Sequence, residues 1–95
     1  MAFLSYERVE ADDSVKDVDD LSPPAKATQV QLQSDTNNVR YTMDGTDPTT
    51  SSGMLLLTTE LPQTFLIEDL KTIKFIRDGG SSGYLNAHYF AGRDV

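Results

Sequence analysis

His88 is the only histidine in this 95-residue chain, and cysteine is absent. Hydrolysis by a Ser/His/Asp set would need His88 beside a serine and a carboxylate. A structural zinc site needs more nitrogen or sulfur ligands than one imidazole supplies. A lone histidine in a strand reads as a packed or surface residue. Glu68 and Asp69 are adjacent, so on a strand they point to opposite faces and cannot act as a carboxylate pair. Gly79-Gly80-Ser81-Ser82-Gly83 has neither a following lysine nor a helix, and is no phosphate cradle. Asp44 and Asp47 are the remaining candidates. In Asp44-Gly45-Thr46-Asp47 the carboxylates are expected to accept backbone N–H bonds of a turn. Calcium is the alternative, since hard cations take clustered oxygens, although the spacing is not that of an EF-hand loop. The expectation is a non-enzyme with no cofactor and no metal.

The elements around these residues read as strands. Val39, Tyr41 and Met43 alternate with Arg40 and Thr42, the period of a half-buried strand. Asp44-Gly45 breaks it, because glycine accepts positive φ and aspartate bonds its own backbone two residues on. Asp47-Pro48 is a second stop. Asp44, Gly45, Asp47 and Pro48 are thus predicted as a structural turn, followed by an apolar-free loop to Gly53. Ala27 to Ser34 reads as the first strand, with Thr28, Val30 and Leu32 opposite Gln29, Gln31 and Gln33. Asp35-Thr36-Asn37-Asn38 is turn chemistry, which predicts a hairpin with Val39–Met43. Met54–Leu57, Gln63–Ile67, Leu70–Arg77 and Tyr84–Phe90 are further strands. The last carries aromatics on both faces, so it is central or meets another chain. Tyr84, Phe90 and Tyr6 are candidates for stacking on sugars, with core packing as the alternative. Residues 91–95 read as a short tail.

The first 22 residues differ in character. Seven acidic residues, Glu7, Glu10, Asp12, Asp13, Asp17, Asp19 and Asp20, face only Arg8 and Lys16, a net −5 out of −7 for the chain. Such a surface repels phosphate backbones, which argues against nucleic acid. Residues 1–24 are expected as an extended acidic arm or linker closed by Pro23-Pro24, and 25–95 as the folded domain. Phe3, Leu4 and Tyr6 are candidate partner anchors, or cover one end of the domain's own core. Tyr6–Glu10 reads as an edge strand of its own sheet or a neighbour's. Strands at spacings of roughly 8–12 residues with turns between them predict an all-β fold, a small Ig-like or Greek-key sandwich. No export signal or membrane-spanning run is apparent, so a cytoplasmic assembly is expected.

The stretch Arg40 to Thr49 resembles the Tyr-Thr-x-Asp-Gly-Thr-x-Pro-Thr motif of two sets of small β-sandwiches. One is the chitobiase/hexosaminidase C-terminal-like modules of carbohydrate-active enzymes. The other is small tailed-bacteriophage virion proteins. The second resemblance implies a capsid decoration or cement subunit that binds the major capsid protein, as a homo-oligomer, with a trimer as one form; a head–tail connection protein is its variant. The first implies a carbohydrate-binding or spacer module.

Overall fold

A computed structural model describes residues 2–92; Met1 and the portion of the expected tail from Arg93 onward lie outside that range. Eight strands run in the order β1 (Ala2–Ala11), β2 (Lys16–Asp17), β3 (Ala27–Asp35), β4 (Val39–Thr42), β5 (Met54–Leu56), β6 (Gln63–Leu66), β7 (Lys74–Arg77) and β8 (Gly83–Ala91). They form two sheets of four strands, β1-β8-β3-β6 and β2-β7-β4-β5, with every pairing antiparallel. The fold is therefore the all-β sandwich that the strand and turn pattern predicts.

The inward faces follow the period of two. β3 buries Val30, Leu32 and Ser34, β8 buries Leu85, Ala87 and Tyr89, and Val39, Leu56 and Phe75 close the core from the second sheet. A fully buried side chain such as Phe75 contributes about 1.5–3 kcal/mol. The Ser34 hydroxyl donates to the Leu56 carbonyl at 2.6 Å, tying β3 to β5 across the sandwich.

Four expectations are corrected. Residues 1–24 are not a separate arm: β1 pairs with β8 from Ala2 to Ala11. Val9 packs against the core and Ala11 lies inside it, so this segment completes the first sheet. The acidic stretch after it is docked rather than a free linker. The Asp12 carbonyl accepts the Arg77 N–H at 3.0 Å, a 3₁₀ turn at Val18–Asp20 closes on an Asp17/Asp20 capping box, and Leu21 is buried. β3 and β4 do not form a hairpin. Ser34 and Val39 both face the core, so Asp35–Asn38 carries the chain from one sheet to the other, with Thr36 at φ +70°. Finally, the strand expected from Leu70 is a 3₁₀ segment, Ile67–Thr72, that seats Leu70 in the core before β7 begins.

Candidate functional site

The outward face of the first sheet is an ordered grid. β8 alternates buried Leu85, Ala87 and Tyr89 with outward Tyr84, Asn86, His88 and Phe90. Register then fixes their neighbours: Phe90 lies between Phe3 and Gln29, His88 between Tyr6 and Gln31, Asn86 between Arg8 and Gln33, and Tyr84 between Glu10 and Asp35. β6 adds Leu66 beside Gln29 and Thr64 beside Gln31.

Two bulges set this face. In β1 the register shifts between Phe3 and Ser5, which turns Leu4 toward the core and leaves Phe3 and Tyr6 on the outside together. In β3 it shifts between Ala27 and Gln29, so Ala27 is buried with Val30 while Thr28 is exposed. An extra residue in one strand inverts the alternation on either side of it. Of the three anchors read from the sequence, the structure therefore exposes Phe3 and Tyr6 and turns Leu4 inward. The sandwich fixes these residues in β1 rather than on a mobile arm.

At the upper end of the grid the rings meet edge to face. Phe3 lies 5.3 Å from His88 and 6.0 Å from Phe90, and Tyr6 lies 5.2 Å from His88. Such contacts favour a fixed arrangement of the rings. The imidazole thus sits among aromatic rings, which suits contact more than proton transfer. At the lower end the grid is a polar network. The Arg8 guanidinium donates to both Asp35 oxygens, at 3.0 and 2.8 Å, and stacks 3.6 Å over the Tyr84 ring. Asn86 donates to Asp35 at 2.6 Å and accepts from the Tyr6 hydroxyl at 2.6 Å. The bond from Arg8 holds the Asp35 carboxyl well below the ordinary carboxylate range, and the bond from Asn86 adds to this. Asp35 in turn raises Arg8. Between the two ends lies a groove of about 390 Å³ lined by Tyr6, Gln31, Gln33, Asp35, Pro62, Asn86 and His88.

The predicted turn serves the other sheet. Asp44 accepts the Thr46 N–H at 3.0 Å, which lowers its carboxyl, and Gly45 has φ +85° with its N–H on the Thr72 carbonyl. Among the described residues Asp47 accepts no backbone N–H; it pairs with Lys74 at 2.8 Å. The two carboxylates thus turn to different partners. Pro48 is buried, and a side chain at Gly53 would meet it at 3.1 Å. The Gly53 carbonyl accepts from Arg40, and Thr50 accepts the Gly79 N–H. Together these bonds strap the loop across the outer face of the second sheet, where Ile76 is buried.

Sequence reasoning missed Glu7. Its Oε2 accepts the Tyr89 hydroxyl and the Ser22 N–H, each at 2.6 Å, tying β1 to β8 and to the segment entering β3. Burial, reinforced by Glu7, pushes the Tyr89 hydroxyl far above its ordinary value. Nothing local in the sequence marks Glu7 among the other acids nearby.

The strap, the two sheets and the strand spacing are what a family match has to explain. The sequence model of the chitobiase/beta-hexosaminidase C-terminal domain matches residues 24–83, more than half of the chain. The chain belongs to that family. The matched span of the chitobiase/beta-hexosaminidase C-terminal domain covers β3 to β7 and the strap, while β1 precedes it and most of β8 follows it. No curated protein and no solved structure matches the chain.

Proposed function

We propose that this chitobiase/beta-hexosaminidase C-terminal domain is a non-catalytic adhesive module of a tailed-phage virion. In that role it is a capsid decoration subunit assembled in the host cytoplasm, and it attaches to the major capsid protein through the outer face of its first sheet. The observation that carries the reading is the aromatic end of that face: Phe3 is 56% exposed and stands with Tyr6, His88 and Phe90 on a rigid strand scaffold. Large rings already held in place lose little entropy on contact and are the usual anchors of an interface. The resemblance of the Arg40–Thr49 stretch to virion proteins supports the setting. The acidic segment from Asp12 to Asp20 favours a basic surface on the shell. Repetition over a shell turns a modest contact into firm attachment.

Co-sedimentation with empty heads of the encoding phage tests this. Replacing both Phe3 and Tyr6 by Ala removes anchors worth about 2 kcal/mol each, about 4 kcal/mol together, so the affinity for heads should fall on the order of 10³-fold. Undiminished binding by that variant rules out this face.

A second reading, a carbohydrate-binding module, is favoured by the groove. Planar amides from Gln31, Gln33 and Asn86 beside the Tyr6 ring are the groups that recognise sugar hydroxyls and sugar faces. A glycan array with no signal that Tyr6→Ala abolishes removes that reading.

A further inference from the structure

Tyr6 is 51% exposed, yet its ring is tethered as a buried one would be. Its hydroxyl donates to the Asn86 side-chain oxygen at 2.6 Å, and the nitrogen of that amide donates to Asp35 Oδ2 at 2.6 Å. Asp35 is itself fixed. Arg8 grips both of its oxygens, and the Thr36 hydroxyl donates to Oδ1 at 2.8 Å, so each oxygen accepts twice. Arg8 is held in turn over the Tyr84 ring. The line of bonds thus runs from the last residue of β3, across β8, to a ring on β1. Phe3 and Phe90 have no polar atom to tether and are placed by ring contacts. The network adds little to the fold. The Arg8 and Asp35 side chains are 43% and 38% exposed, and ion pairs as open as this one contribute little stability. On the inner side, Glu7 and Tyr89 already hold β1 to β8. What the network fixes is a direction. An exposed tyrosine turns between staggered wells, and one whose hydroxyl is bonded does not.

We propose that Asn86 and Asp35 are positioning residues for Tyr6. They set its ring before a partner arrives, and they turn its hydroxyl proton inward, so Tyr6 meets the shell as a carbon surface and not as a hydrogen-bond donor. The proposal rests on the reading of this face as the attachment surface. The entropy of fixing the ring is then lost on folding rather than on contact. A partner group that sought the hydroxyl proton would have to break a 2.6 Å bond and leave the Asn86 oxygen unpaired. The group that fits is apolar: an aliphatic, proline or aromatic side chain of the shell laid against the Tyr6 ring. Asn86 has the chemistry this link requires. An amide accepts at one end and donates at the other, so it joins the Tyr6 O–H to the Asp35 carboxylate. A carboxylate at position 86 would face Asp35 as a like charge, and an aliphatic side chain there would bond neither neighbour.

NMR of the free protein, paired with co-sedimentation on empty heads, tests this. Asn86→Ala removes the acceptor, and Tyr6→Phe removes only the hydroxyl. Each variant should stay folded by circular dichroism, show averaged χ1 couplings at position 6, and lose the fixed ring contact with His88. Each should weaken head binding by the same factor, between about 2-fold and 10-fold, the cost of immobilising one side chain on contact. The double variant should lose no more than either single one, because both cut the same bond. A ring that stays fixed in Asn86→Ala overturns the proposal, and so does a freed ring with unchanged binding. Losses that add in the double variant overturn it too, since Asn86 would then touch the shell itself. A loss in Tyr6→Phe well beyond that in Asn86→Ala would show the hydroxyl bonding the shell, and refutes the carbon-surface assignment. Heads that ignore the unaltered chain overturn the reading of the face and this proposal with it, an outcome distinct from all the others.

Discussion

Tyr89→Phe removes one oxygen and tests whether β1 belongs to the sandwich. Tyr89 is 1% exposed and its hydroxyl donates to Glu7 at 2.6 Å. A hydrogen bond to a charged acceptor is worth about 1.5–3 kcal/mol. Glu7 keeps its bond from the Ser22 N–H and is half-exposed, so water replaces part of the loss and the low end applies. The expected cost is about 1.5 kcal/mol, or roughly 6–12 °C in Tm for a domain of this size. Glu7→Gln keeps an acceptor and loses only the charge, and should cost less, about 0.5–1 kcal/mol. Glu7→Ala leaves the buried hydroxyl without a partner and should cost more, about 2–4 kcal/mol. Urea unfolding of the three variants gives the order, and the Tyr89→Phe/Glu7→Gln double variant gives the coupling. The same bond has an alkaline signature. Folding raises the Tyr89 hydroxyl above its ordinary value of 10.0. Its stabilisation is therefore complete below pH 10 and is lost as the pH rises further, with Tyr89 tyrosinate absorbance appearing only with unfolding. If Tyr89→Phe and Glu7→Ala both leave Tm within about 2 °C, Glu7 is in water, β1 is detached, and the pairing argument fails.

Three other measurements bear on the fold. Deleting residues 1–22 removes Ala11 and Leu21 from the core and uncovers the long edge of β8, so circular dichroism should report an unfolded or aggregated chain rather than a trimmed domain. Gly83→Ala would place a methyl group 2.6 Å from the Asn37 carbonyl oxygen, a backbone atom that cannot swing away, and should cost about 1–3 kcal/mol by thermal melting. Asp35 has its carboxyl depressed below 3.8 by Arg8, so the stability it confers is complete above that pH and is lost as the pH falls further; Asp35→Asn should flatten the acid limb of a stability profile.

How much was legible in the sequence depends on whether the determining contact is local. The alternation in Ala27–Ser34 and Tyr84–Phe90 gives both strands, and aromatics on both faces of the latter mark it as central, which β8 is. The Asp44-Gly45 turn follows from residue chemistry alone, whereas the Asp47–Lys74 pair spans 27 residues and does not. The bulges at Phe3/Ser5 and Ala27/Gln29 break a period of two with no glycine to announce them, so Thr28 is assigned to the wrong face and nothing in the sequence separates Leu4 from Phe3 and Tyr6. The crossing at Asp35–Asn38 uses the same turn residues as a hairpin. Only the burial of both Ser34 and Val39 tells the two apart. An acidic, aspartate-rich segment reads as solvated because its composition is that of a linker. What docks it is Leu21, Ala11 and the Asp12–Arg77 bond, each a contact with a remote part of the chain.

The place of β8 in the first sheet has a consequence for how the chain acquires its structure. β1 and β3 are made early, and both wait for the same partner, which is the last of the eight strands to leave the ribosome. Until β8 arrives, the first sheet has no middle: β1 has nothing to pair with, and β3 has only β6. Closing loops of that length before any reward is slow. The growing chain is thus committed to a long interval with apolar strands uncovered. Its dense early acid, which repels other copies during that interval, serves the nascent chain as much as the finished fold.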